Sequence, residues 1–248
     1  MRSVLRWLVL VAVAALALQL FFVGRIAMMA AVDPQSTAFE RSEAWRLLTG
    51  ADTRMRWRQQ WLPYSQISDN LKRAVIASED GSFTNHEGVD WEALEKAWQK
   101  NEKAQERAAK LAAPTKAKTP ATPRPPKVIG GSTITQQLAK NLLLSGERTL
   151  LRKGQEFVLT MLLELLLDKQ RILEIYLNNV EWGEGVFGAE AAAQHYFRKP
   201  AARLSAFEAA RLAVMLPRPK YFEKLPNSGY LSSRASTIVA RMGSAELP

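Results

Sequence analysis

The chain has 248 residues, enough for one sizeable domain with appendages and too few for two full catalytic domains. Its hydrophobic fraction of 47% and charged fraction of 23% are those of an ordinary folded protein, and the lack of cysteine excludes thiol chemistry, cysteine-ligated metals and disulfides. The net charge of +10 favours an anionic partner (nucleic acid, anionic lipid or a phosphorylated substrate), although a solvated basic surface is the alternative.

The N-terminus carries a candidate membrane anchor. Trp7 to Val23 is apolar except for Gln19, and about 20 residues suffice to span a bilayer core. A cleaved signal peptide is the alternative, but the run is longer than the usual apolar region of one. Because Arg2 and Arg6 precede the run, the positive-inside rule predicts that the rest of the chain lies outside the cytoplasm, which removes nucleic acid as a partner. We assign residues 1–32 to a cytoplasmic tip and transmembrane anchor.

The first part of the chain beyond the anchor is predicted as a polar connector, residues 33–60, with weak periodicity. Ser68 then offers an N-cap for a half-buried helix that ends at Ser78-Glu79-Asp80. A glutamate at the end of an apolar helix can have its pKa raised by desolvation, as a general base requires. An ordinary acid at a helix end would show the same pattern, so the local sequence leaves both interpretations open.

A second helix is predicted from Trp91 to Lys110. Residues 113–127 hold five prolines among alanine, threonine and lysine, a composition that predicts an exposed flexible loop. We therefore assign a flexible Pro/Lys-rich insert to residues 104–127.

The remainder of the chain returns to a helical pattern after Gly130-Gly131. Ser132 is predicted to cap a helix over Thr133 to Leu144. Further helices are predicted over 150–167, 170–180, 188–197 and, after a capping box at Ser205–Glu208, up to Pro217. Strand signals are few, so the fold class is predicted as mainly α.

Three familiar motifs are incomplete. Gly183-x-Gly185-x-x-Gly188 matches a dinucleotide-binding motif by spacing, but it follows a helical pattern and is predicted as a turn between helices. His86-Glu87 lacks the second histidine of a zinc-protease helix, and with two histidines in the chain no protein-caged metal site is predicted. No Ser-x-x-Lys occurs, which excludes a penicillin-reactive serine.

A polar and cationic stretch follows Gly131. Thr133, Gln137 and Lys140 can share one helix face, with Asn141 beside them. More charges come next, at Arg148, Arg152, Lys153 and Glu156. Such a surface suits phosphate and sugar binding, although a solvated helix face would look similar.

Five ordered blocks of residues make the chain recognisable. They read AVIASEDxxFxxHxGxD (74–90), GGSTITQQLAKN (130–141), RKxxE (152–156), RILExYLN (171–178) with the glycines of 183–188, and RLAVMLP (211–217). In these blocks the chain closely resembles the peptidoglycan glycosyltransferases of glycosyltransferase family 51, specifically the monofunctional biosynthetic transglycosylases. The resemblance covers the chain from about Trp61 to Phe222 and places a catalytic domain at residues 61–248.

The resemblance implies a lysozyme-like, two-lobed fold whose cleft holds lipid II and a growing lipid-linked glycan strand. It implies that Glu79 deprotonates the acceptor hydroxyl, that Asp80 supports Glu79 and contacts the substrate, and that Glu156 is a second essential carboxylate. Cations for the departing diphosphate are implied at Lys140, Arg148 and Arg152, and contacts to sugar and phosphate groups at Ser132, Thr133, Gln137 and Asn141. A divalent cation such as Mg²⁺ is implied as an aid, with no cofactor obligatory.

The same resemblance implies a single-pass protein of the bacterial inner (cytoplasmic) membrane with its catalytic domain on the periplasmic side. Cell-wall synthesis and division proteins are candidate further partners. Two alternatives to synthesis are a lytic enzyme that cleaves finished glycan and a non-catalytic membrane scaffold. The cations around Lys140 and Arg152 argue against the first, because cleavage of a neutral glycosidic bond presents no diphosphate to bind. Intact Glu79 and Glu156 argue against the second.

Overall fold

The computed structural model describes residues 2–50, 57–112, 131–144 and 149–248. The helices in these residues are α1 (Arg2–Met28), α2 (Ala38–Thr49), α3 (Asp69–Glu79), α4 (Trp91–Ala112), α5 (Ile134–Leu143), α6 (Leu150–Leu166), α7 (Lys169–Asn179), α8 (Ala189–Phe197), α9 (Ala206–Met215), α10 (Pro219–Glu223) and α11 (Gly229–Met242). The strands are β1 (Arg58–Gln59), β2 (Glu181–Gly183) and β3 (Val186–Phe187). The predicted mainly α class is confirmed.

Helix α1 is long and apolar enough to cross a membrane, and most of its surface is exposed. Its C-terminal part packs against the rest of the protein, because Phe22 and Ile26 are buried in the core. Gln19, the polar exception in the apolar run, exchanges two amide hydrogen bonds of 3.0 and 3.2 Å with Gln155 of α6. The anchor is therefore joined to the rest of the chain by both apolar and polar contacts.

Much of the predicted connector is regular structure: residues 38–49 form a helix and residues 58–59 a strand, whereas residues 51–56 lie outside the described part of the chain. Thr37 and Glu40 form a capping box that starts α2, and the buried Glu40 also accepts a 2.8 Å hydrogen bond from Gln59. Helix α2 packs on α5. The apolar pattern missed it because α2 buries two glutamates, Glu40 and Glu43, rather than an apolar stripe.

The glycine motif at 183–188 forms a short hairpin rather than the predicted turn between helices. Strands β2 and β3 pair antiparallel, and β1 joins β3 in parallel, so the sheet order is β1-β3-β2. Gly185 turns with φ 68° and Gly188 has φ 82°, where a side chain would press against the Asn178 carbonyl. The hairpin therefore needs these glycines for its backbone and not for a ligand.

Helix α4 continues to Ala112, so residues 104–112 of the predicted flexible insert are helical. Residues 113–127 lie outside the described part of the chain. Alanine, glutamate, lysine and glutamine, which are good helix formers, favour the helix over these residues.

The core is centred on α3, α9 and α11, which pack on one another. Leu71 and Val75 of α3, Leu212 of α9 and Leu231 of α11 are fully buried there. Helix α11 has no counterpart among the predicted elements. Because α3 is held on this side by two helices, its C-terminal end is a rigid platform for the residues that follow.

A single asparagine joins the chain entering the domain to α7. The buried Asn178 accepts a 2.8 Å hydrogen bond from the Leu62 amide and donates one of 2.9 Å to the Leu62 carbonyl. A third bond goes to the Glu174 carbonyl. Asn178 thus pairs with Leu62 as a strand neighbour would and holds the entering chain against α7.

We expect Asn178→Ala to lower the free energy of unfolding by about 2–4 kcal/mol, because it leaves two buried backbone groups of Leu62 unpaired. Denaturant titration in detergent micelles measures the change. Asn227→Ala, at an exposed asparagine, is the matched control and should change stability by less than about 0.5 kcal/mol. Equal effects of the two variants would contradict the assignment.

Candidate active site

The central feature of the site is Glu79, the last residue of α3. It is half-buried, and its Oε2 accepts a 3.0 Å hydrogen bond from Gln137 Nε2 of α5. Burial raises the pKa of Glu79; the hydrogen bonds from Gln137 and Ser78 act against that rise, and the charge of Asp80 adds to it. A carboxylate with a raised pKa, still open to one side, is equipped to accept a proton.

The Asp80 side chain fixes the position of Glu79 through the backbone, by its bonds to other parts of the fold. Its buried carboxylate accepts a 2.9 Å hydrogen bond from the Ile134 amide at the start of α5 and lies 2.8 Å from His86 Nε2. The N-terminal amides of a helix favour an anion at this place. Asp80 therefore joins the end of α3 to the start of α5, and its predicted substrate contact remains a prediction.

The cap of α5 is Thr133 and not Ser132, which corrects the predicted assignment. Thr133 forms a capping box with Gln136, since glutamine at the third helical position can bond back to the cap. The Thr133 hydroxyl also donates a 2.6 Å bond to the Gly88 carbonyl. Thr133 is therefore buried and engaged in the fold, whereas the predicted ligand Ser132 is exposed.

Tyr176 holds the side chain of Gln137 in place. Its Oε1 accepts a 3.0 Å hydrogen bond from the hydroxyl of the fully buried Tyr176 while its amide nitrogen donates to Glu79. The amide orientation follows from this pair of partners, because the phenol proton needs an acceptor and the carboxylate needs a donor. Tyr176, Gln137 and Glu79 thus form a chain of hydrogen bonds that ends at the half-buried carboxylate of Glu79.

Two pockets lie on either side of this chain. The first, of about 260 Å³, is lined by Ser78, Glu79, Asp80, Gly81, Asp90, Ala93, Lys96, Ala97, Lys100, Gly131, Ser132 and Thr133. The second, of about 340 Å³, is lined by Phe39, Ser42, Gln137, Lys140, Asn141, Leu144, Arg152, Val180, Glu181, Leu216 and Pro219. Glu79 borders the first pocket and its partner Gln137 the second, so the Glu79–Gln137 bond marks their boundary.

The second pocket holds the predicted cations that the structure describes. Lys140 and Arg152 both line it, and the buried Nε of Arg152 has no hydrogen-bond partner among the described residues. Arg152 Nη1 donates a 3.2 Å bond to the buried Glu156, which also pairs with Lys153. Glu156 therefore fixes the orientation of the Arg152 guanidinium group. Arg148, the third predicted cation, lies outside the described residues.

Several pocket residues have no counterpart among the predicted ones. Lys96 and Lys100 of α4 line the first pocket one helical turn apart, a spacing that the sequence does contain. Phe39 and Ser42 of α2, together with Glu181 of β2, line the second pocket. No local pattern indicates these three, because tertiary packing alone brings α2 and β2 to the pocket.

The site has one cluster with the composition of a cation site: Asp80, His86 and Asp90, whose ligand atoms lie within 4.8 Å of one another. Both oxygens of Asp80 are engaged by Ile134 and His86. Both oxygens of Asp90 are engaged as well, by the Ala93 amide and the Ser82 hydroxyl. A cation would have to displace these hydrogen bonds, so the cluster fits a structural network better than a metal cage.

The comparisons with known proteins agree on one family. The family model described as Transglycosylase matches residues 49–243. Similar full-length proteins named "Biosynthetic peptidoglycan transglycosylase" come from Burkholderia thailandensis (54% identical; 100% of this chain and 90% of the relative), Herminiimonas arsenicoxydans (51%; 100% and 99%) and Paraburkholderia phytofirmans (50%; 98% and 94%).

The hydrogen bond from Gln137 stabilises the charged form of Glu79, so its removal raises the pKa of Glu79 further. We expect Gln137→Met to raise that pKa measurably, because a hydrogen bond to the charged form of the carboxyl group is lost. Titration of ¹³C-labelled glutamate by NMR, with Glu79→Gln to assign the signal, measures the shift. Gln99→Met on the exposed face of α4 is the control; a titration of Glu79 unchanged in Gln137→Met would refute the assigned bond.

Proposed function

The chain belongs to the transglycosylase family, and we propose that Glu79 is the base with which it joins lipid-linked disaccharides into glycan strands. The protein is a peptidoglycan glycosyltransferase whose substrates are lipid II and the lipid-linked glycan strand. The observation that carries the assignment of Glu79 is its place at the boundary of two pockets, with a raised pKa and a fixed hydrogen-bond partner.

In the proposed reaction Glu79 takes the proton of the acceptor's 4-hydroxyl. The resulting oxygen nucleophile attacks the anomeric carbon of the donor, the bond from that carbon to the diphosphate breaks, and the diphosphate leaves with the bonding electrons. A β-1,4 linkage forms with inversion, undecaprenyl diphosphate is released, and Glu79 later returns its proton to water. Partial burial suits this role, because it raises the pKa of Glu79 and so makes the carboxylate a stronger base.

The second pocket is the proposed site of the departing diphosphate. Charge builds on that group as the bond breaks, so preorganised cations lower the barrier. Lys140 and Arg152 line the pocket, so their ammonium and guanidinium groups can supply positive charge and hydrogen-bond donors to an anion there. Glu156 would hold Arg152 in position. Ser132 and Asn141 would contact sugar or phosphate groups. No step passes through a metal ion, and an assisting divalent cation remains a prediction.

We place the protein in the bacterial inner membrane as a single-pass protein with its catalytic domain on the periplasmic side. Helix α1 has the length and composition of a membrane span, and Arg2 and Arg6 precede its apolar run. The lipid tails of both substrates require the cleft to lie near the bilayer. The exchange of hydrogen bonds between Gln19 and Gln155 supports a fixed placement of the domain against its anchor.

Glu79→Gln should lower polymerisation by about 10²–10⁴-fold while leaving the fold intact, because glutamine keeps the shape of the side chain and cannot accept the proton. The measurement is the yield of glycan polymer from labelled lipid II in detergent, with preformed peptidoglycan as a parallel substrate. Solubilised fragments from peptidoglycan alone would indicate a lytic enzyme. Full polymerisation by Glu79→Gln would remove Glu79 as the base.

Lys140→Ala should retain the fold and lose most turnover, since it removes one cation from the diphosphate pocket. Steady-state rates with lipid II and thermal unfolding in the same detergent separate the two effects. Lys224→Ala, at an exposed lysine beyond α10, is the matched control and should keep the parental rate. A parental rate in Lys140→Ala would contradict the assignment of the second pocket.

A further inference from the structure

A carboxyl group lies in the pocket that the proposed function gives to the diphosphate. Glu181, the first residue of β2, lines it together with Lys140 and Arg152. The residue is only 7% exposed, and its buried Oε1 has no hydrogen-bond partner among the described residues. A carboxylate beside cations is expected to pair with them, but an ionised one here would repel a phosphate.

The neighbours of Glu181 leave its charge incompletely balanced. Lys220 Nζ of α10 forms an ion pair with Oε1 at 3.3 Å and is also bonded to the buried Glu43 of α2. One lysine thus serves two carboxylates. The other titratable groups around Glu181 are Arg46 of α2, Glu184 of the hairpin, Tyr196 of α8 and Glu223 of α10, with Lys140 and Arg152 across the pocket.

Burial raises the pKa of Glu181 to about 7. The positive charge of Lys220 lowers it, and the negative charges of Glu43 and Glu184 raise it. Near neutral pH a large share of the molecules therefore carries a proton on Glu181, and an anion entering the pocket would increase that share.

We propose that the Glu181 carboxyl is a further contact for the departing diphosphate, donating its proton in a hydrogen bond to a phosphate oxygen. The inference rests on the proposed function of the second pocket. A neutral carboxylic acid supplies an O–H donor without adding repulsion, and Glu181 lines the pocket that would hold the phosphate oxygen. The bond strengthens as charge grows on the leaving group, so it favours the transition state over the bound substrate.

The proposed roles of Glu79 as a base and of Glu181 as a proton donor predict how kcat/KM depends on pH. The value of kcat/KM should rise with pH as Glu79 loses its proton and fall as pH passes about 7 and Glu181 loses its own. Both phosphates of the lipid-linked donor are diesters, which do not titrate in this range. The falling limb therefore reports on the protein.

The test is the pH profile of kcat/KM for lipid II polymerisation in parental protein and Glu181 variants. Glu181→Gln keeps an N–H donor, so it should stay within about threefold of the parental value at pH 7 and lose the falling limb. Glu181→Ala should lose about 10- to 100-fold, as for a hydrogen bond to a charged group. Glu184→Gln removes a charge from the same hairpin outside the pocket, so it should keep the falling limb and move it to lower pH, because the Glu184 charge raises the pKa of Glu181.

Two variants should move the falling limb in opposite directions. Lys220→Met removes the charge that lowers the pKa of Glu181, so the limb should move to higher pH. Glu43→Gln removes a charge that raises it, so the limb should move to lower pH. A purely structural role for Glu181 predicts neither shift, and thermal unfolding of each variant separates stability from this effect.

Parental protein that polymerises lipid II with an unchanged falling limb in Glu181→Gln would overturn the inference and leave the proposed function intact. Equal losses in Glu181→Gln and Glu181→Ala with parental thermal stability would overturn it as well, because a retained donor would then have no effect. Parental protein without polymerisation would instead overturn the proposed function.

Discussion

The carboxylate of Asp80 is bonded at once to the first amide of α5 and to His86. This contact sets where one helix ends relative to where another begins. Glu79 precedes Asp80 directly, and Gln137 lies one turn into α5, so the base and its partner meet only while Asp80 holds the two helix ends together. A carboxylate at a helix N-terminus gains up to about 2 kcal/mol from the helix dipole when partly buried, which makes the junction stable as well as directional.

The sequence alone predicts the helices α3, α5, α7 and α9, because all four show apolar periodicity and the caps of α3 and α9 are recognisable as well. It does not predict α2, whose inward face is acidic, or the hairpin, whose strands of two and three residues are too short to show alternation. The residues of the site likewise fall into those that the sequence indicates and those that it does not. The family resemblance indicates Glu79, Gln137, Lys140 and Arg152, whereas Glu181 reaches the pocket through tertiary packing alone.

The hydrogen bonds between Gln19 and Gln155 fix the position of α1 relative to α6. A glutamine in an apolar helix is costly to leave without a partner, so the pair favours one rotation and one height of α1 against α6. Helix α6 also carries Arg152, three residues before Gln155, and Glu156, which directly follows it. The register of the anchor and the orientation of the cationic pocket are therefore set on the same helix.

Helix α2 supplies Phe39 and Ser42 to the second pocket, although the family model begins at residue 49. A soluble fragment cut at that boundary would lose one wall of the pocket while keeping Glu79, Lys140 and Arg152. Screening for inhibitors on such a fragment would favour compounds shaped for a wider opening than the whole protein offers. Compound searches against this enzyme should therefore start from a chain that includes residue 37, where the cap of α2 begins.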